Sequence, residues 1–86
     1  MKEFKYIITD PVGIHARPAG VIVNLAKTYA CKITVEKAGK APADAKRIFG
    51  IMALGVKSGE EVTVSFDGDD EEQACAAMEA AFKANL

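Results

Sequence analysis

The chain has 86 residues, enough for one domain with a single core and too few for two. Its composition, with 50% hydrophobic and 27% charged residues, is typical of a folded soluble domain and excludes a disordered chain. The 11 basic and 12 acidic residues nearly cancel, and the basic ones are scattered, so we expect no nucleic-acid partner. Residues 1–86 are therefore interpreted as a single domain.

The sequence also gives little support for membrane, metal or redox chemistry. No apolar run approaches the ~20 residues needed to span a bilayer, so we expect a cytoplasmic protein without membrane insertion. Cys31 and Cys75 lie far apart, each in an apolar pattern and without metal-ligand spacing. We expect two small buried side chains and no metal or cofactor, while the sequence leaves a disulfide between them open.

The first part of the chain predicts a strand, a helix and a second strand. Apolar side chains alternate over residues 4–8, and this strand stops before a loop at residues 9–13. A helix is predicted from Ala16 to about Ala30, because apolar side chains recur there at helical spacing. Residues 31–36 then alternate as a second strand with one buried face.

The middle of the chain predicts an edge strand and a short helix. A hairpin turn at residues 37–40 leads to a short strand at residues 41–43, whose proline indicates an edge position. Asp44 is predicted to cap a short helix over residues 45–54, which ends at Gly55 as its C-terminal glycine. Apolar residues run nearly all round this helix, so we expect one side to face the core and another to face a partner.

The last part of the chain predicts a turn, a strand and a long helix. The turn covers residues 57–60, and apolar side chains alternate over residues 62–66. Asp69 followed three residues later by Glu72 predicts a capping box that opens an alanine-rich helix. The predicted element order is therefore βαββαβα.

This order predicts an α+β fold, an open-faced β-sandwich. Each strand has one apolar face and each long helix one apolar stripe, so a four-stranded antiparallel sheet should carry three helices on one face. The opposite face of the sheet should meet water.

The chain has a single histidine, His15, at the place where the first loop ends and the first helix begins. It lies in the run Gly13-Ile14-His15-Ala16-Arg17-Pro18-Ala19. A helix N-terminus offers unpaired N–H groups to an anion, so Ala16, Arg17 and Pro18 are the candidate phosphate-binding residues. An imidazole nitrogen can accept and pass on a phosphoryl group, and Arg17 adds a fixed cation, which predicts a phosphoryl relay. A helix cap or an ordinary surface residue is the alternative for His15.

Over essentially its whole length the chain resembles the HPr family, the phosphocarriers of the bacterial phosphoenolpyruvate-dependent sugar phosphotransferase system. The resemblance rests on the His15 run, the capped last helix, the segment Gly59-Glu60-Glu61-Val62 and the segment Ile48-Phe49-Gly50-Ile51-Met52-Ala53-Leu54-Gly55. It implies a carrier with a transient phosphohistidine, which is not an enzyme because it has no turnover of its own.

The resemblance also implies partners and a site. Enzyme I would phosphorylate Nδ1 of His15, with phosphoenolpyruvate as the original donor, and the IIA domain of a sugar permease would receive the group. Arg17 would stabilise the phosphoryl group in transit. The docking surface shared by both partners would consist of Gly20, Ile48, Phe49 and Met52. We expect Ile51 and Leu54 to belong to the core instead, and the protein to be a monomer.

Arg47 departs from the pattern of many Gram-positive family members. Those proteins have at this place a serine that an ATP-dependent kinase phosphorylates, so no regulatory serine is expected here. Arg47 is either a solvated helix residue or a docking residue that attracts an acidic partner surface. Two other functions stay open: an HPr-like regulatory binding module acting on transcription factors or metabolic enzymes, and a small metal-binding domain of the same architecture.

Overall fold

A computed structural model describes all residues, 1–86, and its seven elements follow the predicted order. They are β1 (Lys2–Ile7), α1 (Ala16–Ala26), β2 (Lys32–Lys37), β3 (Ala43–Asp44), α2 (Ile48–Ala53), β4 (Glu61–Asp67) and α3 (Glu71–Asn85). None of the three helices is long and apolar enough to cross a membrane.

The four strands form one antiparallel sheet in the order β1-β4-β2-β3. In the register of the central strand β4, Val64 pairs with Phe4 on one side and with Val35 on the other. Strand β3 is at the edge, as predicted, but it covers Ala43–Asp44 and not residues 41–43, so the proline precedes the strand. The α+β prediction is confirmed: α3 packs on β1 and β4, α1 packs on α3, and α2 packs on α1 and β3.

The core lies between the sheet and the helices. The sheet contributes alternating residues with at most 8% exposure, namely Phe4, Ile33, Val35, Val62, Val64 and Phe66. The helices contribute Ala19, Ile22, Val23, Ile51, Ala74, Met78 and Phe82. The ring of Phe82 packs edge-on against the rings of Phe4 and Tyr6, with ring-centroid distances of 5.4 Å and 5.8 Å. These contacts attach α3 to the first strand.

Helix α1 is shorter than predicted. It ends at Ala26, where the prediction continued to Ala30. The N–H of Thr28 donates to the carbonyl of Leu25, and the N–H of Tyr29 donates to that of Ala26, so the chain tightens into three-residue turns. Local apolar spacing could not indicate this change.

The prediction that Asp44 caps the second helix is wrong. Asp44 belongs to the edge strand, where it pairs with Thr34, and its carboxylate accepts a 2.9 Å hydrogen bond from the N–H of Lys46. The helix begins only at Ile48, with Arg47 at the N-cap position and no side-chain cap. Pairing with the sheet therefore removes the first residues of the predicted helix.

The end of this helix is as predicted. Gly55 follows it with a φ of +64°, a left-handed angle that favours glycine, and donates to the carbonyl of Met52 at 3.1 Å. Ile51 and Leu54 are buried, which confirms the prediction that they belong to the core.

The predicted capping box of Asp69 and Glu72 is also wrong. The last helix begins one residue later than that box requires, at Glu71, with Asp70 at the N-cap position. The side chain of Glu71 instead accepts the N–H of Gly68 at 3.2 Å. Acidic residues still occupy the first turn, where the helix dipole favours them.

Asp70 has a long-range role that replaces local capping. Its two carboxylate oxygens accept the N–H groups of Ala30 at 2.8 Å and Cys31 at 2.9 Å. The start of α3 is thereby joined to the turn between α1 and β2. The hydrogen bond from the Ala30 N–H and those from Cys31 hold the pKa of Asp70 below its usual range.

Both cysteines are free thiols, so the alternative of a disulfide is not realised. Cys31 is buried, as predicted, whereas Cys75 is only half-buried on α3. Burial, followed by the neighbouring carboxylate of Asp70, raises the pKa of Cys31 to about 11. Burial also raises the pKa of Cys75. Thiols in such surroundings stay protonated at neutral pH and are poor nucleophiles.

Candidate functional site

The loop that carries His15 is fixed at its beginning by the end of α3. The N–H groups of Thr9 and Asp10 donate to the oxygen of Leu86 at 2.6 and 2.8 Å. The hydroxyl of Thr9 donates to the same oxygen at 2.8 Å. Since Leu86 is itself buried, the loop is held against a packed part of the fold.

A glycine lets the same loop approach the segment that follows α2. Gly13 has a φ of +83° and donates to the carbonyl of Asp10 at 2.9 Å. The next N–H, of Ile14, donates to the carbonyl of Val56 at 3.0 Å. A side chain at Gly13 would collide with the Val56 carbonyl and come within 2.8 Å of Cα of Lys57. Only glycine fits both the angle and the space.

His15 occupies the N-cap position of α1, as the sequence predicted for the end of the loop. Its backbone is extended, with φ −117° and ψ −177°, and its carbonyl accepts the N–H of Ala19 at 2.9 Å. Its side chain makes no capping hydrogen bond and is 38% exposed. The N–H groups of Ala16 and Arg17 have no backbone acceptor, so they remain available to an anion at the start of the helix.

The imidazole has one acidic neighbour that sequence analysis missed. Nε2 of His15 lies 3.8 Å from Oδ1 of Asp10, which is longer than a hydrogen bond but close enough for electrostatic attraction. The same Oδ1 accepts the N–H of Val12 at 2.8 Å. An aspartate that starts a turn is a common local signal, and nothing in the sequence indicated that the turn would bring it back to His15.

The other candidate residues of the site differ in exposure. Ala16 and Arg17 are exposed, and the guanidinium of Arg17 makes no ion pair in the structure. Pro18 is buried and therefore helps to fix the helix start rather than to contact a ligand. The residues predicted to bind an anion thus present two N–H groups without a backbone acceptor and one guanidinium without an ion pair.

The residues predicted for partner docking lie on α1 and α2, which pack against each other. Phe49 is 84% exposed and Met52 is 39% exposed, large values for apolar side chains. Ile48 is half-buried. At Gly20, no atom lies within 4 Å of the position that a Cβ atom would occupy. Val12 and Val21, which the sequence did not single out, are exposed apolar residues on the His15 loop and beside Gly20.

Arg47 lies at the start of the second helix and points into solvent. Its side chain is 81% exposed, and its Nε is 3.8 Å from the carboxylate of Asp44. An exposed pair at this distance contributes little to stability. The charge of Arg47 is therefore accessible to a partner.

Comparison with known proteins gives a consistent result. The sequence model of the family described as "PTS HPr component phosphorylation site" matches residues 2–84. A phosphocarrier protein HPr of Mycoplasma genitalium is 36% identical over 85 residues, covering 99% of this chain and 97% of the relative.

Solved structures agree with the sequences. The histidine-containing phosphocarrier protein of a mycoplasma has a TM-score of 0.93 at 37% identity, covering 99% of this chain and 98% of its own. Crh, a catabolite-repression protein of Bacillus subtilis described as a domain-swapped dimer, has a TM-score of 0.77 at 34% identity and covers 100% of this chain and 98% of its own. The fold, the extent of the match and the phosphorylation-site family together show that this chain belongs to the HPr family of phosphocarrier proteins of the phosphotransferase system.

Proposed function

We propose that the protein accepts a phosphoryl group on Nδ1 of His15 from enzyme I and passes it to the IIA domains of sugar permeases. One observation carries this proposal: the imidazole of His15 is partly exposed and free of hydrogen bonds at the start of α1. The N–H groups of Ala16 and Arg17, which directly follow His15, have no backbone acceptor and are available to a group attached there. Phosphoenolpyruvate is the original donor in this scheme.

The chemistry needs no cofactor. An unprotonated ring nitrogen attacks phosphorus, and the helix start and the Arg17 guanidinium neutralise charge on the phosphoryl oxygens. An anion at a helix N-terminus gains about 0.3–1 kcal/mol, up to ~2 in good geometry. This modest stabilisation suits a relay, because a group that is bound too tightly is transferred onward slowly. The protein is then a substrate and a donor, and has no turnover of its own.

We assign partner docking to exposed residues of α1 and α2, two helices that pack against each other. Phe49 and Met52 offer apolar area, and the flexible thioether of Met52 can adapt to two different partners. Ile48 and the open space beside Gly20 extend this area. Arg47 adds a charge that attracts an acidic partner surface.

A second candidate function is regulatory binding to a transcription factor or an enzyme, which the likeness to the catabolite-repression protein Crh supports. Two residues weigh against it. His15 provides a ring nitrogen that can accept a phosphoryl group. Arg47 occupies the position at which the family resemblance implies a regulatory serine. A cytoplasmic monomer fits the relay best, and size-exclusion chromatography with light scattering would distinguish it from a swapped dimer.

The test is transfer from labelled phosphoenolpyruvate in the presence of enzyme I. We expect one phosphoryl group per chain, labile in acid and stable in base, and absent from the His15→Ala variant. Because the chain has only one histidine, any phosphohistidine must be at this position. Addition of an IIA domain should then remove the label. An acid-stable label, or a label on His15→Ala, contradicts the proposal.

A further inference from the structure

We propose that Asp10 is a positioning residue for His15: it holds the imidazole by its Nε2 side, keeps the ring proton on Nε2 and leaves Nδ1 free to take the phosphoryl group. This inference rests on the proposed phosphocarrier function and names a residue that determines which ring nitrogen reacts. It is carried by the 3.8 Å contact between Nε2 of His15 and Oδ1 of Asp10.

Asp10 is held in place from three directions. Its carboxylate Oδ1 accepts the N–H of Val12 at 2.8 Å. Its own N–H donates to the oxygen of Leu86 at 2.8 Å, and its carbonyl accepts the N–H of Gly13 at 2.9 Å. The side chain of Asp10 is 24% exposed, so it is partly enclosed as well. A carboxylate fixed in this way can orient a ring that makes no hydrogen bond of its own.

The chemistry of the His15 imidazole and the Asp10 carboxylate determines which ring nitrogen carries the proton. An unprotonated imidazole has one N–H donor and one lone pair, whereas an ionised carboxylate only accepts. Because Nε2 faces the Asp10 carboxylate, the tautomer with its proton on Nε2 is favoured, and this tautomer has its lone pair on Nδ1. The distance of 3.8 Å exceeds a hydrogen bond, but catalytic contacts are often long in the free protein and tighten in the complex with a partner.

Phosphoryl acceptance makes the same contact stronger. The lone pair of Nδ1 forms the N–P bond while the bond from phosphorus to the donor breaks, and the donor keeps that electron pair. Nε2 keeps its proton, so the ring becomes cationic and the phosphoryl oxygens carry the negative charge. The Asp10 carboxylate then faces a positive ring, while the phosphoryl group extends from the other ring nitrogen. In onward transfer a nucleophile of the acceptor domain forms a bond to phosphorus while the N–P bond breaks, Nδ1 takes back its electron pair and the ring becomes neutral again.

The first test examines the ring itself, without any partner. Ring ¹⁵N chemical shifts distinguish a protonated nitrogen from one with a lone pair, at a pH where the imidazole is unprotonated. We expect the native protein to have its proton on Nε2 and the Asp10→Ala protein to shift both nitrogens toward a tautomer mixture. Unchanged ring shifts in Asp10→Ala would overturn the proposal.

The second test separates charge from geometry. Asp10→Asn keeps an oxygen that can accept the N–H of Val12, so the turn is preserved while the negative charge is lost. For a partly enclosed charge at this distance, we expect enzyme I to phosphorylate Asp10→Asn roughly fivefold more slowly than the native protein. The matched control is Asp69→Asn, an exposed aspartate that precedes the N-cap residue of α3. We expect this control to react at the native rate.

The outcomes separate this inference from the proposed function. Phosphorylation of Asp10→Asn at the native rate would overturn the role of Asp10 while leaving the phosphocarrier function intact. If enzyme I phosphorylates none of the proteins but the ring shifts still respond to Asp10→Ala, the phosphocarrier function is wrong and the orientation of His15 by Asp10 stands.

Discussion

The N–H of Ile14 donates a 3.0 Å hydrogen bond to the carbonyl of Val56, and this bond joins the two segments that form the site. One segment is the loop that ends at His15. The other follows α2, the helix that carries the exposed Phe49 and Met52. The proposed reactive residue and the proposed docking helix are therefore held together by backbone contact.

Gly13→Ala should lower stability, because the side chain meets the Val56 carbonyl at a φ of +83°. We expect a loss of about 1–3 kcal/mol in the free energy of unfolding, measured in urea. Gly20→Ala is the matched control. It places the same methyl group in open space within α1, where it should stabilise by about 0.5–1 kcal/mol. Equal stabilities of the two variants would contradict this account.

Phe49→Ala should weaken partner docking and leave the fold intact. Since Phe49 is 84% exposed, we expect unfolding free energy within about ±0.5 kcal/mol of the native value. The KM for phosphorylation by enzyme I should rise roughly 5- to 30-fold if Phe49 is a docking hot spot. In contrast, Ile51→Ala on the buried side of the same helix should cost about 2–5 kcal/mol of stability. An unchanged KM in Phe49→Ala would remove this residue from the docking surface.

Arg47→Ala should slow association with enzyme I and make it less sensitive to salt. An exposed cation steers an acidic partner, so we expect roughly a two- to tenfold lower association rate at low salt. Phosphoryl transfer within the complex should be unchanged. Lys27→Ala removes an equal charge at the far end of α1 and serves as the control in stopped-flow measurements. A native association rate at low salt for Arg47→Ala would show that Arg47 is only a solvated residue.

Asp70 should make stability depend on pH in acid. Hydrogen bonds from Ala30 and Cys31 lower its pKa in the folded protein, below the ordinary 3.8. Its contribution is therefore fully present above that ordinary value and is lost as the pH falls through the lowered folded pKa. Urea midpoints between about pH 5 and pH 2 should fall more steeply for the native protein than for Asp70→Ala. Asp69→Ala should follow the native curve. Parallel curves for all three proteins would contradict the role of Asp70.

Much of the fold followed from residue order. Alternation in β1, β2 and β4 and the helical spacing in α1 and α3 predicted the elements, because each period places apolar residues on one face. The boundaries were less predictable. Aspartate is a residue type that often caps helices locally. Asp44 nevertheless pairs in the edge strand, and the side chain of Asp70 binds N–H groups about forty residues away along the chain.

In the candidate site, too, some residues could be predicted from the sequence and others could not. His15 and Arg17 could be singled out from the sequence, since their chemistry is visible in the residues themselves. Phe49 was named only through the resemblance to the HPr family, and its exposure is a property of the fold. Asp10 could not, because its distance to the imidazole depends on how the loop folds back between Leu86 and Val56.

The sequence by itself determined the element order, the antiparallel α+β architecture and the position of the only histidine at a helix start. These properties are local, because they depend on side-chain period, turn residues and the type of one residue. Only the tertiary structure decided which acidic side chain meets His15, which face of α2 is exposed, and where α1 and α2 begin or end. Each of these depends on hydrogen bonds and packing between segments far apart in the chain, which no local pattern records.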